Sequence, residues 1–440
     1  MKRRLIKLSL LLSLLLLCPA LTGCVSNRNV NEIKIALDIE DDGRYDELFA
    51  LYKEQTGISV KATYGQDVGK LIGTKDEPDI IKTSTVIIEA MKPSLIDLSP
   101  LINADPSFKL TDYIDPIVEA LTIDGKVYAL PTSLNTSLLY YNKAMFDEHE
   151  DAIRTALELE PGESVYPQAD WTYDEFQKAG VAMTKFSGPP PHYFGAETQL
   201  NWWGEWYVYV QQMGGNFYVP NTNNHRVNLT SDEVIAATTF FRNKAMGPEG
   251  TKFSPNANEM ASANSFSAGN VAMIFGGHLG DWFSYDVLEL DWDIQVLPKP
   301  IGRPEAPGGE LSADAFGISV RSKKVEASFN FLKLWAGKEG ALKMYEFGKI
   351  GALKNMQEYI AELPSEKQKN LNIDALFAAI NEAIILPREQ DFSKIMREFV
   401  MSELYKLMID GRGAETDVVL VLNRIQNNVN NYYISLYGDN

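Results

Sequence analysis

The opening of the folded chain constrains its architecture more than any other stretch. IKIALDI (33–39) alternates apolar and polar residues in the manner of a strand. Tyr45, Leu48, Phe49 and Tyr52 then recur at helical spacing, and Gly57 stands where a helix C-cap wants positive φ. ISVKATY (58–64) alternates again, and DIIKTS (79–84) reads as the next short buried strand. Strand, helix, strand in that order points to a parallel α/β sheet.

With 440 residues the chain is long for one such domain and comfortable for two. KVYALP (126–131) and SLLYYN (137–142) are strand-like and flank a proline. From about 143 to 285 helical patterns dominate. WTYDEFQKAGVAMTKF (171–186) is an amphipathic helix with Thr172 as N-cap and Glu175 at the capping-box spacing. SGPPPHYFG (187–195) is a loop. WDIQVLPKP (292–300) and AFGISV (315–320) read as strands separated by a Pro/Gly-rich loop. A long helix is expected over 325–347, carrying Phe331, Leu334 and Trp335, and the tail beyond 365 is helical. No internal repeat of fixed period is present.

The first residues stand apart. MKRRLIK is basic, Leu8 to Leu17 is an apolar run too short to span a bilayer comfortably, and small residues follow. This is a secretory signal, assigned to residues 1–23. LTGC, Leu21 to Cys24, resembles the bacterial lipobox, which implies a diacylglyceryl group on Cys24 and a polar tether over 24–32. The other cysteine, Cys18, lies inside the signal, so the mature chain has no disulfide framework and no thiolate metal site. A net charge of −18, made more negative when the basic leader is removed, disfavours nucleic acid and anionic lipid surfaces as partners.

Several segments, taken in order, resemble the extracellular solute-binding proteins of ABC importers, family 1, the sugar-binding group that includes maltose-binding protein. They are FALYKEQTGISV (49–60), EPDII (77–81), IDGKVYALPTSLNTSLLYYNKAMFD (123–147), WTYDEFQKA (171–179), QQMGGNFY (211–218), SFSAGNVAMIFGG (265–277), VLPKPIG (296–302) and AFGISVRSKKVEASFNFLKLWAGKEG (315–340). The resemblance spans nearly the whole mature chain. It implies an α/β fold of two lobes, a class II periplasmic-binding-protein arrangement with several crossovers at the hinge. Lobe one is expected over 31–133 plus 312–355, and lobe two over 134–311 plus 356–440. Asn142 would cap the helix that follows the first crossover. Two departures stand out. No proline follows GKIGAL (348–353) closely, which leaves the third crossover poorly placed. Trp282 arrives late after AMIFGG, in GGHLGDW.

In open α/β sheets ligands bind beyond the carboxyl ends of the strands. That rule selects Glu40 and Asp41 after the first strand, Thr83, Ser84 and Thr85 after PDII, Ser133 and Asn135 after the ALP strand, and Asp314 in LSADAF. The resemblance places the same positions in a cleft. Each also has a plainer reading: acids before a helix offset its dipole, and hydroxyl or amide side chains satisfy turns. DIEDDG is not a calcium loop, because Phe49 stands where a bidentate Glu is needed. A sugar lays its apolar face on an aromatic ring while carboxylates and amides take its hydroxyls. In NWWGEWYVYV (201–210), one or both of Trp202 and Trp203 are therefore assigned to ligand stacking, Trp206 and Tyr207 mainly to the core. Trp282 and His278 join the ligand set because a glycine pair lets the backbone approach closely. Trp171 and Trp335 read as packing.

The expected function is a lipid-anchored receptor on the outer face of a bacterial cell membrane. It captures a mono- or oligosaccharide by hinge closure and hands it to an ABC permease. It is expected to be a monomer with no cofactor, no metal and no enzymatic activity. Four histidines without ligand spacing argue against a bare transition metal. A polyamine receptor is the alternative that the acidity permits. An exported glycoside hydrolase lacks any motif that sets two carboxylates at a working separation.

Overall fold

The structure, a computed structural model, describes residues 31–438 except 189–191, 223–224, 249, 262–263, 279–281, 390, 410 and 412–414, and only the backbone of 278, 283, 284 and 287. The signal peptide, Cys24 and nearly all of the tether lie outside the described residues.

β1 (Glu32–Ala36), α1 (Asp46–Thr56) and β2 (Ser59–Thr63) form the expected unit, with β1 and β2 parallel from Glu32↔Ser59 to Ala36↔Thr63. Gly57 ends α1 at φ 74°, a conformation that favours glycine, and its N–H donates to Lys53 O. β3 (Ile80–Ser84) adds in parallel on the other edge of β1. Helix α2 (Asp115–Ala120) leads through a small hairpin to β4 (Leu130–Asn142). The two short strands read from KVYALP and SLLYYN are thus mostly one long strand, begun at Leu130. It is buried almost throughout, so no alternation marks its middle.

Asn142 caps α3 (Lys143–Glu148) by accepting from Met145 N, and Thr172 with Glu175 forms the capping box of α4 (Tyr173–Ala182). α5 (Gly204–Gln212) and α6 (Asp232–Met246) follow. β5 (Met273–His278) is a strand within a stretch read as helical. Then come β6 (Trp292–Gln295) and β7 (Glu310–Ile318). The helix expected over 325–347 is two helices, α7 (Val325–Ala336) and α8 (Lys338–Tyr345), broken at Gly337 where ψ opens to 176°. Glycine is a poor helix former, and the corner folds α8 back so that Lys343 reaches Glu47 on α1. The tail carries β8 (Ile384–Ile385), a π-helix (Met396–Met401) and α9 (Val418–Tyr437).

Among the described residues one sheet runs β2-β1-β3-β7-β4-β5, with β8 on β7 and β6 on β4. β7 runs antiparallel to both β3 and β4. β4 carries the sheet from one half of the molecule to the other. Leu130–Thr136 pairs with β7, whereas Ser137–Asn142 pairs with β5 and β6. Two large apolar clusters result. One is built on β1, β3, β7, α1 and α7. The other holds α4, α5, α6, α9 and the π-helix.

Candidate ligand-binding cleft

The carboxyl ends of β1 and β3 meet β4 and the start of β7 along one edge of the first half. There a narrow recess is lined by Asp38, Arg44, Tyr45, Lys82, Ser133, Asp314, Trp335 and Lys349, among others. Lys82 Nζ lies 2.8 and 3.0 Å from the two Asp38 oxygens. The Ser133 hydroxyl donates to Asp314 Oδ2 at 3.5 Å, and Lys349 Nζ is 3.9 Å from the same oxygen. Burial works against the charged Lys82 ammonium. The Asp314 charge and the Asp38 hydrogen bond outweigh it and raise its pKa above the ordinary lysine value. Arg44 pairs with Asp42. The recess is lined by two carboxylates, Asp38 and Asp314, and three cations, Arg44, Lys82 and Lys349, with Asp42 paired to Arg44 beside it, so this region is not acidic although the whole chain is. Its polar groups are held as paired donors and acceptors, the arrangement that hydroxyl-rich ligands use.

Of the residues expected on this side, Asp314 lies in the recess and Ser84 is half-buried opposite it in the β3–β7 register. Glu40 and Asp41 are exposed in the turn before α1, where Asp41 accepts from Gly43 N at 3.4 Å. Asn135 is half-buried opposite Ser312, where β4 leaves the first half. Thr83 is a correction: it is fully buried, because strand alternation turns it inward between Lys82 and Ser84. Lys82, Arg44 and Lys349 were not foreseen. A signal existed for Lys82, since a lysine within the buried strand DIIKTS is costly without a partner.

A second cavity, of about 610 Å³, is lined by Leu200, Asn201, Trp202, Trp203, Ser393, Arg397, Met401, Ser402 and Tyr405, together with Ile87, which follows β3. Its volume suits a small solute. Trp202 is half-buried there, its ring 4.3 Å from that of Trp203. Tyr405 is 43% exposed. The π-helix supplies Arg397 and Met401, and such turns re-aim side chains at binding sites. The helix of NWWGEWYVYV starts only at Gly204, so both leading tryptophans precede it. A Cβ at Gly204 would fall on the Trp202 indole nitrogen, which makes glycine a condition of this ring position.

Three aromatic assignments change or sharpen. Trp203 is only 4% exposed and packs edge-on against Phe392 and Tyr207, so it backs Trp202 instead of offering a second stacking face. Trp282, expected to touch ligand, is fully buried. Its Nε1 donates to the Tyr140 hydroxyl at 2.8 Å and its ring packs near Trp292, so it is a core residue. His278 ends β5 opposite Ser137 in register. Trp206 is fully buried and donates to Thr238 Oγ1 at 2.9 Å. Among the described residues no group of three His, Cys, Asp or Glu side chains could hold a metal ion, and no helix is long and apolar enough to cross a membrane.

A family profile described as bacterial extracellular solute-binding protein matches residues 47–372. No curated protein matches the chain by sequence. Solved structures do match. An ABC substrate-binding protein from Listeria monocytogenes in complex with cycloalternan aligns with a TM-score of 0.74 at 22% identity, over 91% of this chain and 98% of its own. UgpB from Mycobacterium tuberculosis in complex with glycerophosphocholine aligns at 0.72 and 17%, over 92% and 98%. The sugar-binding protein MalE from Xanthomonas citri aligns at 0.71 and 16%, again over 92% and 98%. Likeness at this level establishes the two-lobe mixed α/β fold.

Proposed function

The chain belongs to the bacterial extracellular solute-binding proteins, and from that premise we propose that its solute is a carbohydrate, taken up between two lobes that close about the β4 and β7 crossings. Lobe one comprises residues 31–133 plus 312–355, and lobe two 134–311 plus 356–440. One observation carries the reading: a half-buried tryptophan, Trp202, lines a cavity of sugar size. A recess at the strand ends adds paired carboxylates, ammonium groups and a hydroxyl. Ring stacking and a bidentate polar rim are what a pyranose requires. Cycloalternan in the Listeria protein is a carbohydrate ligand on the same fold. Glycerophosphocholine in the mycobacterial one joins a glycerol to a phosphodiester and a quaternary ammonium.

The polyamine alternative loses support from the charge balance. Its recognition would rest on Glu40, Asp41 and Asp314, but Asp314 already faces Lys82 and Lys349, and the other two are exposed in a turn. The receptor would deliver its ligand in the closed form to an ABC permease. It would be held as a monomer at the outer face of the cell membrane by acyl chains on Cys24.

The test is a thermal-shift panel of maltose, maltotriose, cycloalternan, glycerophosphocholine and spermidine. A ligand that binds only the folded state adds about 2.7 kcal/mol at one hundred times its dissociation constant. The expected result is a rise with one or more sugars that disappears in Trp202→Ala. A rise with spermidine alone would overturn the carbohydrate reading.

A further inference from the structure

Beneath the Trp202 loop lies a fully buried ion pair. Lys244 Nζ, in the last turn of α6, is 2.5 Å from Glu205 Oε1, in the first turn of α5, and neither side chain has any exposed surface. An acid at a helix start and a base at a helix end each suit the local dipole. The pair also reaches into the loop. Lys244 Nζ donates to Glu197 O at 2.7 Å, and Glu205 Oε2 accepts from Gln199 N–H at 2.9 Å. Tyr209 donates its hydroxyl to Glu205 Oε1 at 3.0 Å, and Gln199 Nε2 donates to Phe275 O at 2.7 Å on β5. Segment 197–199 and the first turn of α5 thus hang on one charged centre, and Leu200, Asn201, Trp202 and Trp203 are the residues strung between them.

Such a pair is a poor choice if stability were its only use. Well-packed apolar side chains of similar volume usually stabilise as much or more, whereas an ion pair demands one geometry. Burial already disfavours the charged ammonium and pushes the Lys244 pKa below the ordinary lysine value. We propose that Glu205 and Lys244 are positioning residues that fix the backbone of 197–205 and so set the height and tilt of Trp202 over the cleft. This rests on the reading of Trp202 as the ligand-stacking ring.

The test uses protein labelled with 5-fluorotryptophan, whose seven tryptophans give separate fluorine resonances; Trp202 is the one lost in Trp202→Phe. Glu205→Gln/Lys244→Met removes both charges at nearly constant volume. The expected result is that the Trp202 resonance shifts or broadens while those of Trp282 and Trp335 stay in place. Affinity for the panel sugar that binds, maltotriose or cycloalternan, falls at least tenfold at temperatures where the protein is fully folded. A lowered melting temperature with an unmoved Trp202 resonance and unchanged affinity would mean a merely structural pair and would overturn the proposal. If the double variant does not fold, Tyr209→Phe removes one donor to Glu205 with the shape kept, and the same resonance decides. Should Trp202→Ala bind sugar normally, the stacking reading itself fails, an outcome separate from the behaviour of the resonance.

Discussion

Trp282→Ala separates packing from ligand contact at a residue whose sequence setting suggested the cleft. The ring is fully buried beside Trp292, and its N–H is bonded to Tyr140. A buried tryptophan removes roughly 150–250 Å² from water. At about 25 cal/mol per Å² that corresponds to about 4–6 kcal/mol. Partial burial in the unfolded chain lowers this to about 4 kcal/mol, within the roughly 3–5 kcal/mol measured for such truncations. A chain of 440 residues has an unfolding entropy of about 0.9 kcal/mol/K near its midpoint. The expected fall in Tm is therefore about 4–5 °C if the protein melts as one unit, and about twice that for the affected half if the halves melt separately. Scanning calorimetry reads the shift, and titration calorimetry on the folded variant reads ligand affinity, which should stay within a factor of about two or three, under about 0.7 kcal/mol. A tenfold loss of affinity with an unchanged Tm would refute the core assignment and return Trp282 to the cleft.

Two further outcomes follow from particular contacts. The Lys333 ammonium, then the Ser107 hydroxyl and N–H, hold the Asp105 carboxyl at about 2, below its ordinary 3.8. Because the folded value is the lower one, the stabilisation is full above about pH 4 and is lost as pH falls through about 2; carbon-13 titration should show this, and Lys333→Met should move the value back towards 3.8. Arg388 Nη1 donates to the carbonyls of Glu119, Ala120 and Thr122 at 3.2, 3.4 and 3.0 Å, satisfying the end of α2. Arg388→Met should cost about 1 kcal/mol and speed hydrogen exchange at Leu121–Ile123, and unchanged exchange there would show that the cap is unimportant.

The parts of the fold written in local chemistry were readable from the chain. Alternation in IKIALDI, the glycine after α1 and the Thr172–Glu175 box are statements about a few neighbouring residues, and all three hold in the structure. What escaped was set by partners distant in sequence. β5 lies in a stretch that looks helical and is a strand because Ser137–Tyr141 of β4 offers it an edge. β4 itself seemed broken because a strand buried on both faces has no period to reveal it. Gly337 divides the long helix because α8 packs back on α1, a contact absent from the local pattern.

The site divides along the same line. The rule of strand ends picked Asp314, which lies in the recess, and Ser84, its register partner, because it concerns topology, which the strand order already implied. It could not say which side chain at a strand end points out, and so it admitted Thr83, one residue from Lys82 and on the wrong face. For NWWGEWYVYV the error had a different source. Trp202 and Trp203 are ligand candidates together by sequence, yet the first turn begins at Gly204, and both precede it on a loop whose hydrogen bonds reach Lys244 and Phe275. Gly204 was the available clue. A glycine between two tryptophans and a helical run is a weak helix former inside a good pattern, and its lack of a Cβ is what leaves room for the Trp202 indole. Gly204 thus marks the start of the helix and makes space for the Trp202 ring, while the neighbouring Trp203, also before the helix, turns into the core.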